Sequence, residues 1–125
     1  MLYTVGDLKD GAKGVSIRVR IILKEQLRKI TTKDGVEHVV VEALAGDRTG
    51  LILLSLWDKW AEEVNEQNII DITNGYVNRF KGKLRLNVGQ YGSIEIIQDP
   101  DFPIIKQFVS KTHLDGKDLN RLDNS

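Results

Sequence analysis

The chain has no cysteine. That absence removes disulfides, thiolate metal sites and a cysteine nucleophile, and it suits a reducing compartment. It has only two prolines, both in Asp99-Pro100-Asp101-Phe102-Pro103, a stretch that breaks any strand. No apolar run approaches the roughly 18 to 20 residues of a membrane span, and no signal peptide opens the sequence. Excess charge of either sign is also lacking, with 18 Lys and Arg against 18 Asp and Glu. Histidine is limited to His38 and His113, neither of them in a ligand-like cluster. Gly11-Ala12-Lys13-Gly14 has neither the spacing nor the following Ser or Thr of a phosphate-cradling loop. No nucleophile–base pair stands out, and Glu62, Glu63 and Glu66 read as the solvated face of a short helix. The chain is therefore expected to carry no catalytic residue, no metal and no cofactor.

What is present is a β pattern. At 125 residues, 41% of them hydrophobic and 29% charged, the chain fits one globular domain with a modest core. Val15, Ile17, Val19, Ile21 and Leu23 alternate with Ser16, Arg18, Arg20, Ile22 and Lys24, which predicts a first strand with its odd-numbered residues inward. Asp34-Gly35 predicts a two-residue hairpin into a second strand over 37–45. Gly46-Asp47-Arg48-Thr49-Gly50 is a tight polar turn into a third strand over 51–57, with Ile52, Leu54 and Leu56 on one face. A short helix over 58–65 is predicted from the i, i+4 pair Trp60 and Val64, with Trp60 as a core plug. A fourth strand is expected over 69–76 and a fifth over 84–88, which Ser93–Ile97 extends. Five short strands with one helix between the third and fourth match an all-β, five-stranded OB-type barrel, closed because a sheet this small must hide its edges. The barrel is assigned to residues 1–98. Residues 99–125 form a C-terminal tail, with a weak helical pattern over 104–114.

The scarce aromatics and the distribution of charge carry the functional signal. Acids crowd Asp58, Glu62, Glu63, Glu66 and Asp71, whereas the run from Tyr76 to Val88 has four bases and no acid: Arg79, Lys81, Lys83 and Arg85. Their spacing by two predicts one basic side to an extended hairpin. Phe80 sits at its tip in Phe80-Lys81-Gly82-Lys83, poorly placed for a core and well placed for stacking on a base beside phosphate. Strand parity puts Trp57 on the outer surface, unless the strand end folds it over the rim or the helix begins there and buries it. Tyr76 follows Gly75, where a bend re-aims side chains, so alternation leaves its direction open. Arg28 and Lys33 flank the first hairpin loop with Ile30 between them, an aliphatic able to lie against a sugar or base. These ten residues define a candidate site for single-stranded nucleic acid.

The segments Val5-Gly6-Asp7-Leu8-Lys9, Thr32-Lys33-Asp34-Gly35, Gly46-Asp47-Arg48-Thr49-Gly50, Leu54-Ser55-Leu56-Trp57, Asn74-Gly75-Tyr76 and Phe80-Lys81-Gly82-Lys83-Leu84 occur in order over about three quarters of the chain. Over residues 5–97 the sequence resembles the archaeal single-stranded DNA-binding proteins with one OB fold, and the related OB domains of replication protein A and the SOSS-B subunits. The resemblance implies base-stacking aromatics at Trp57, Tyr76 and Phe80 and loop contacts over Arg28–Lys33. Asn87 stands where some relatives carry a further aromatic, and the tail is neither Gly/Arg-rich nor acidic. The implied partner is single-stranded DNA, bound by a monomer beside replication and repair proteins in a cytoplasmic, nucleoid-associated setting. RNA on the same face, or a protein ligand within a larger complex, stays open as the alternative.

Overall fold

In the computed structural model, which describes residues 2–105, strands dominate. In chain order they are β1 (Leu2–Tyr3), β2 (Val15–Lys24), β3 (Arg28–Thr31), β4 (Glu37–Asp47), β5 (Gly50–Trp57), β6 (Ile69–Phe80), β7 (Lys83–Asn87) and β8 (Ser93–Ile97). A 3-10 turn over Val5–Asp7 and one short helix, α1 (Lys59–Glu63), complete the elements. Strands β2, β4, β5, β7 and β6 follow one another in the sheet, and β6 pairs back to β2, so five strands close into a ring. The ring is the five-stranded OB barrel expected, with the short helix between its third and fourth members.

Alternation fills the ring. Val15, Ile17, Val19 and Ile21 are fully buried, as are Val41, Ala43, Ala45, Leu54, Ile70 and Leu86. Leu23, expected inward with the odd-numbered set, is not part of that core. A bulge inserts Ile22 between the pairs Ile21↔Ala45 and Leu23↔Leu44. Beyond it Ile22 and Leu44 form a second small cluster, against which Leu23 packs.

Other departures concern which strands meet. The first hairpin has its own outgoing strand, β3, whose Arg28-Lys29-Ile30-Thr31 has no apolar alternation because it pairs with β4 alone. Its turn is five residues, not two, closed by the Asp34 carboxylate accepting from Thr32 Oγ1 and the Val36 amide. β6 runs on to Phe80, past Gly75, where it exchanges β2 and β8 for β7. Ser93–Ile97 does not extend the fifth strand; it pairs antiparallel with β6 from Ile69 to Thr73. The helical reading over 104–114 falls almost wholly outside the described residues.

The Gly-Asp-x-Thr-Gly turn is structural. Asp47 accepts from the Val5 amide at 2.9 Å and Thr49 Oγ1 from the Gly6 amide at 2.8 Å, docking the 3-10 turn on the barrel. At Gly46 an added Cβ would lie 2.7 Å from Leu51 Cδ2 and 2.8 Å from the Gly50 carbonyl. Gly46→Ala should therefore cost about 1–3 kcal/mol by overpacking, read as a lower midpoint in urea unfolding. An unchanged midpoint would contradict this packing.

Arg18 and Arg20 hold residues 99–103 against β2. Arg18 takes Asp71 bidentately, at 2.6 and 2.9 Å, and Asp99 at 2.9 Å. These carboxylates push its pKa further above the ordinary arginine value. Arg20 donates to the carbonyls of Phe102 and Pro103 and lies 5.8 Å from the centre of the Phe102 ring.

Candidate nucleic-acid interface

Cross-strand partners share a face of a sheet, and the registers assemble one outward face from five strands. Arg28 faces Val40 and Ile30 faces His38 across β3–β4. Val40 faces Trp57 and Glu42 faces Ser55 across β4–β5. Ser55 is level with Asn87 and Leu53 with Arg85 across β5–β7. Tyr76, Asn78 and Phe80 face Asn87, Arg85 and Lys83 across β6–β7. A groove of about 660 Å³ crosses this face, with Arg28, Ile30, Trp57, Tyr76, Phe80 and Arg85 in its walls.

Local structure sets the rings. Trp57 is 37% exposed and Tyr76 42%, so neither is folded into the core. Trp57 ends β5, and its indole is met edge-on by the His38 ring, with centroids 5.6 Å apart and planes at 72°. Asn74 at φ 60° bends β6 immediately before Gly75, and Tyr76 leaves the bend pointing outward. Phe80 is half-buried, with the Arg85 guanidinium 3.8 Å from its ring centre and the Lys81 ammonium 5.5 Å away. Lys81 at φ 50° and Gly82 at φ 82° form the two-residue turn that holds Phe80 opposite Lys83. Two successive positive φ values suit the right-handed twist of a hairpin.

The groove floor is polar. Glu42, 5% exposed, pairs with Arg85 at 3.0 Å and with Arg28 at 3.6 Å, and accepts from Ser55 Oγ at 3.2 Å. Burial lowers the pKa of Arg85 below the ordinary arginine value, Glu42 opposes that and Arg28 adds to it. Arg85 Nε is buried with no hydrogen-bond partner among the described residues. A buried donor left unsatisfied is costly, and this one lies at a groove open to ligand. Arg28, by contrast, has a side chain 58% exposed and only a long contact to Glu42.

The ten predicted residues do not all converge. Trp57, Tyr76, Phe80, Arg28, Ile30 and Arg85 line one groove, and Lys83 shares their face through its pairing with Phe80. Lys33 is exposed in the β3–β4 turn, and Lys81 lies in the β6–β7 turn. The one-sided basic hairpin does not form. Because Phe80 pairs with Lys83, odd-numbered residues of β6 face even-numbered residues of β7. Arg79 consequently shares the inward face with Leu84 and Leu86, away from Arg85, and reaches Asp10 at 3.6 Å. Trp60 packs against the core, as its helical spacing predicts, yet also lines the groove. Glu42 and His38, not predicted from the sequence, stand on the same face. Their signal was parity along β4, since His38, Val40 and Glu42 alternate on the side opposite Val41 and Ala43.

The family model described as "Single-stranded DNA binding protein Ssb-like, OB fold" matches residues 8–96. The single-stranded DNA binding protein Ssb of Saccharolobus solfataricus is 35% identical over 108 residues, 86% of this chain and 72% of that protein. An uncharacterized Arabidopsis thaliana protein is 27% identical over 109 residues, 80% of this chain and 71% of its own length. Among solved structures, the second OB-fold domain of replication protein A from Methanococcus maripaludis has a TM-score of 0.67 at 25% identity. That likeness covers 79% of this chain and 97% of the domain.

Proposed function

We propose that this chain, which belongs to the Ssb-like OB-fold family of single-stranded DNA-binding proteins, itself binds single-stranded DNA in the groove across β3, β4, β5, β7 and β6. Bases stack on Trp57, Tyr76 and Phe80, while Arg28, Lys33, Lys81 and Lys83 follow the phosphates and Ile30 lies against a sugar or base. Arg85 backs the Phe80 ring from below, and Arg79 borders the outer end of the hairpin. Stacking uses the π-face that every base has, so binding is tolerant of sequence. Nothing is turned over: the protein acts as a monomer that coats strands exposed in replication or repair, in the compartment that holds the DNA. The observation supporting this most is the convergence of three separated aromatics and two arginines on one groove.

Titration with oligothymidine tests the reading, because Trp57 and Trp60 both line the groove. Tryptophan fluorescence should be quenched with a site of about four to six nucleotides, and duplex DNA should compete weakly. Four to six phosphate contacts give a salt slope near 3 to 4, at about 0.7 per contact for single strands. Arg28→Ala should lower that slope by about 0.7. An unchanged signal at low salt would defeat the proposal, and stronger displacement by RNA than by DNA would reassign the ligand to RNA.

A further inference from the structure

His38 falls outside the residues to which the sequence assigns binding, yet it stands on the outward face beside Trp57. Its Nδ1 is 2.8 Å from Asp58 Oδ2. Asp58 is held in place around it: its amide donates to the Val39 carbonyl at 2.7 Å, and its Oδ1 accepts from the Val39 amide at 3.1 Å. Its backbone is fixed at φ 53°, a strained value for a residue with a side chain. The His38 and Val39 hydrogen bonds hold the Asp58 carboxyl below the usual carboxylate range, so it is ionised near neutral pH. An ionised carboxylate only accepts, so Nδ1 must carry the proton. The other ring nitrogen, Nε2, makes no hydrogen bond to any described residue, on a side chain 26% exposed.

Nε2 therefore has two chemically opposite states. Neutral, it presents a lone pair that repels a phosphate oxygen. Protonated, it presents an N–H donor and a positive charge at the edge of the Trp57 ring. The charged groups around it are Asp58 at the start of α1, Asp34 in the β3–β4 turn, and Arg28 and Glu42 further along the same face. Ile30, directly across β3, adds none.

We infer that His38, which stands beside Trp57 at the edge of this groove, is a phosphate-binding residue that grips the backbone next to the base stacked on Trp57 and takes up a proton as DNA binds. The inference rests on the DNA-binding reading above. A phosphate is held better by a protonated imidazole than by a neutral one, so affinity should be higher at the acidic end of the range from about 5 to 8 where histidines change charge, and lower at its alkaline end.

Oligothymidine affinity measured at pH 6 and pH 8, at constant ionic strength, tests this in the wild-type chain, His38→Gln and His113→Gln. The wild type should bind about three- to tenfold tighter at pH 6, since a one-unit rise in pKa corresponds to a factor of about ten. His113→Gln should keep that dependence and His38→Gln should lose it. In parallel, the NMR titration of the His38 ring should move to higher pH on adding oligothymidine. Binding that is flat with pH, a His38→Gln variant with the wild-type pH profile, or an unmoved His38 titration would overturn the role of His38 alone. Absence of binding at both pH values would overturn the DNA-binding reading and this one together.

Discussion

Trp57→Ala should weaken oligothymidine binding by about 5- to 150-fold, the equivalent of the ~1–3 kcal/mol that one base–aromatic stack contributes. Its thermal midpoint should fall less than for a core truncation, because Trp57 is 37% exposed and lies outside the hydrophobic core. Phe80→Ala should weaken binding similarly. If each ring stacks a separate base, the two losses should add within about 0.5 kcal/mol. The double variant then keeps only the Tyr76 stack and the phosphate contacts, and the salt slope persists while the affinity collapses. A Trp57→Ala variant with parental affinity would remove the indole from the platform. A double variant no weaker than either single one would mean that the two rings hold one base between them.

Arg85→Ala should be strongly destabilising. Arg85 and Glu42 have side chains only 13% and 7% exposed, so removing the arginine leaves a buried carboxylate whose remaining counter-charge is the largely exposed Arg28 at 3.6 Å. Breaking a buried pair costs roughly 3–5 kcal/mol, and Arg28 and Ser55 keep this case near 3. For a domain of this size that lowers the thermal midpoint by about 10 °C. Replacing both partners should behave differently. Glu42→Leu with Arg85→Met removes the buried charges together and should recover most of the stability, as apolar replacements of buried pairs often do. It should still bind DNA poorly, since the guanidinium under Phe80 is gone. Equal destabilisation in the single and double variants would show that packing, not an orphaned charge, accounts for the loss.

Mid-strand parity made the barrel legible. Val15, Ile17, Val19, Ile52, Leu54 and Leu56 all face inward as alternation requires, and the Asp47–Gly50 turn falls where its glycines put it. Pairing between strands was not legible, because it depends on contacts distant in sequence. β3 exists only because β4 outruns β2 and offers a free edge to Arg28–Thr31. Ser93–Ile97 joins β6 because the Gly89–Gly92 connection carries it across, which no local pattern records. The same limit governs the site. Trp57 could be placed from its own strand, whereas Arg79 and Arg85 could be separated only once the register of the turn between them was known. Glu42 looked like an ordinary strand residue in sequence, and its burial comes from Arg85 and Ser55, which reach it from other strands.

If one outward face of the barrel binds the strand, heteronuclear NMR with oligothymidine should show it residue by residue in the amide and indole shifts. The largest shifts should fall on the Trp57 indole, Tyr76, Phe80, Arg85, Ile30 and Arg28, with Arg18, Arg20 and Phe102 unmoved. Shifts concentrated around Arg18, Arg20 and Phe102, with Trp57 and Phe80 still, would place the strand elsewhere on the barrel and rule this face out.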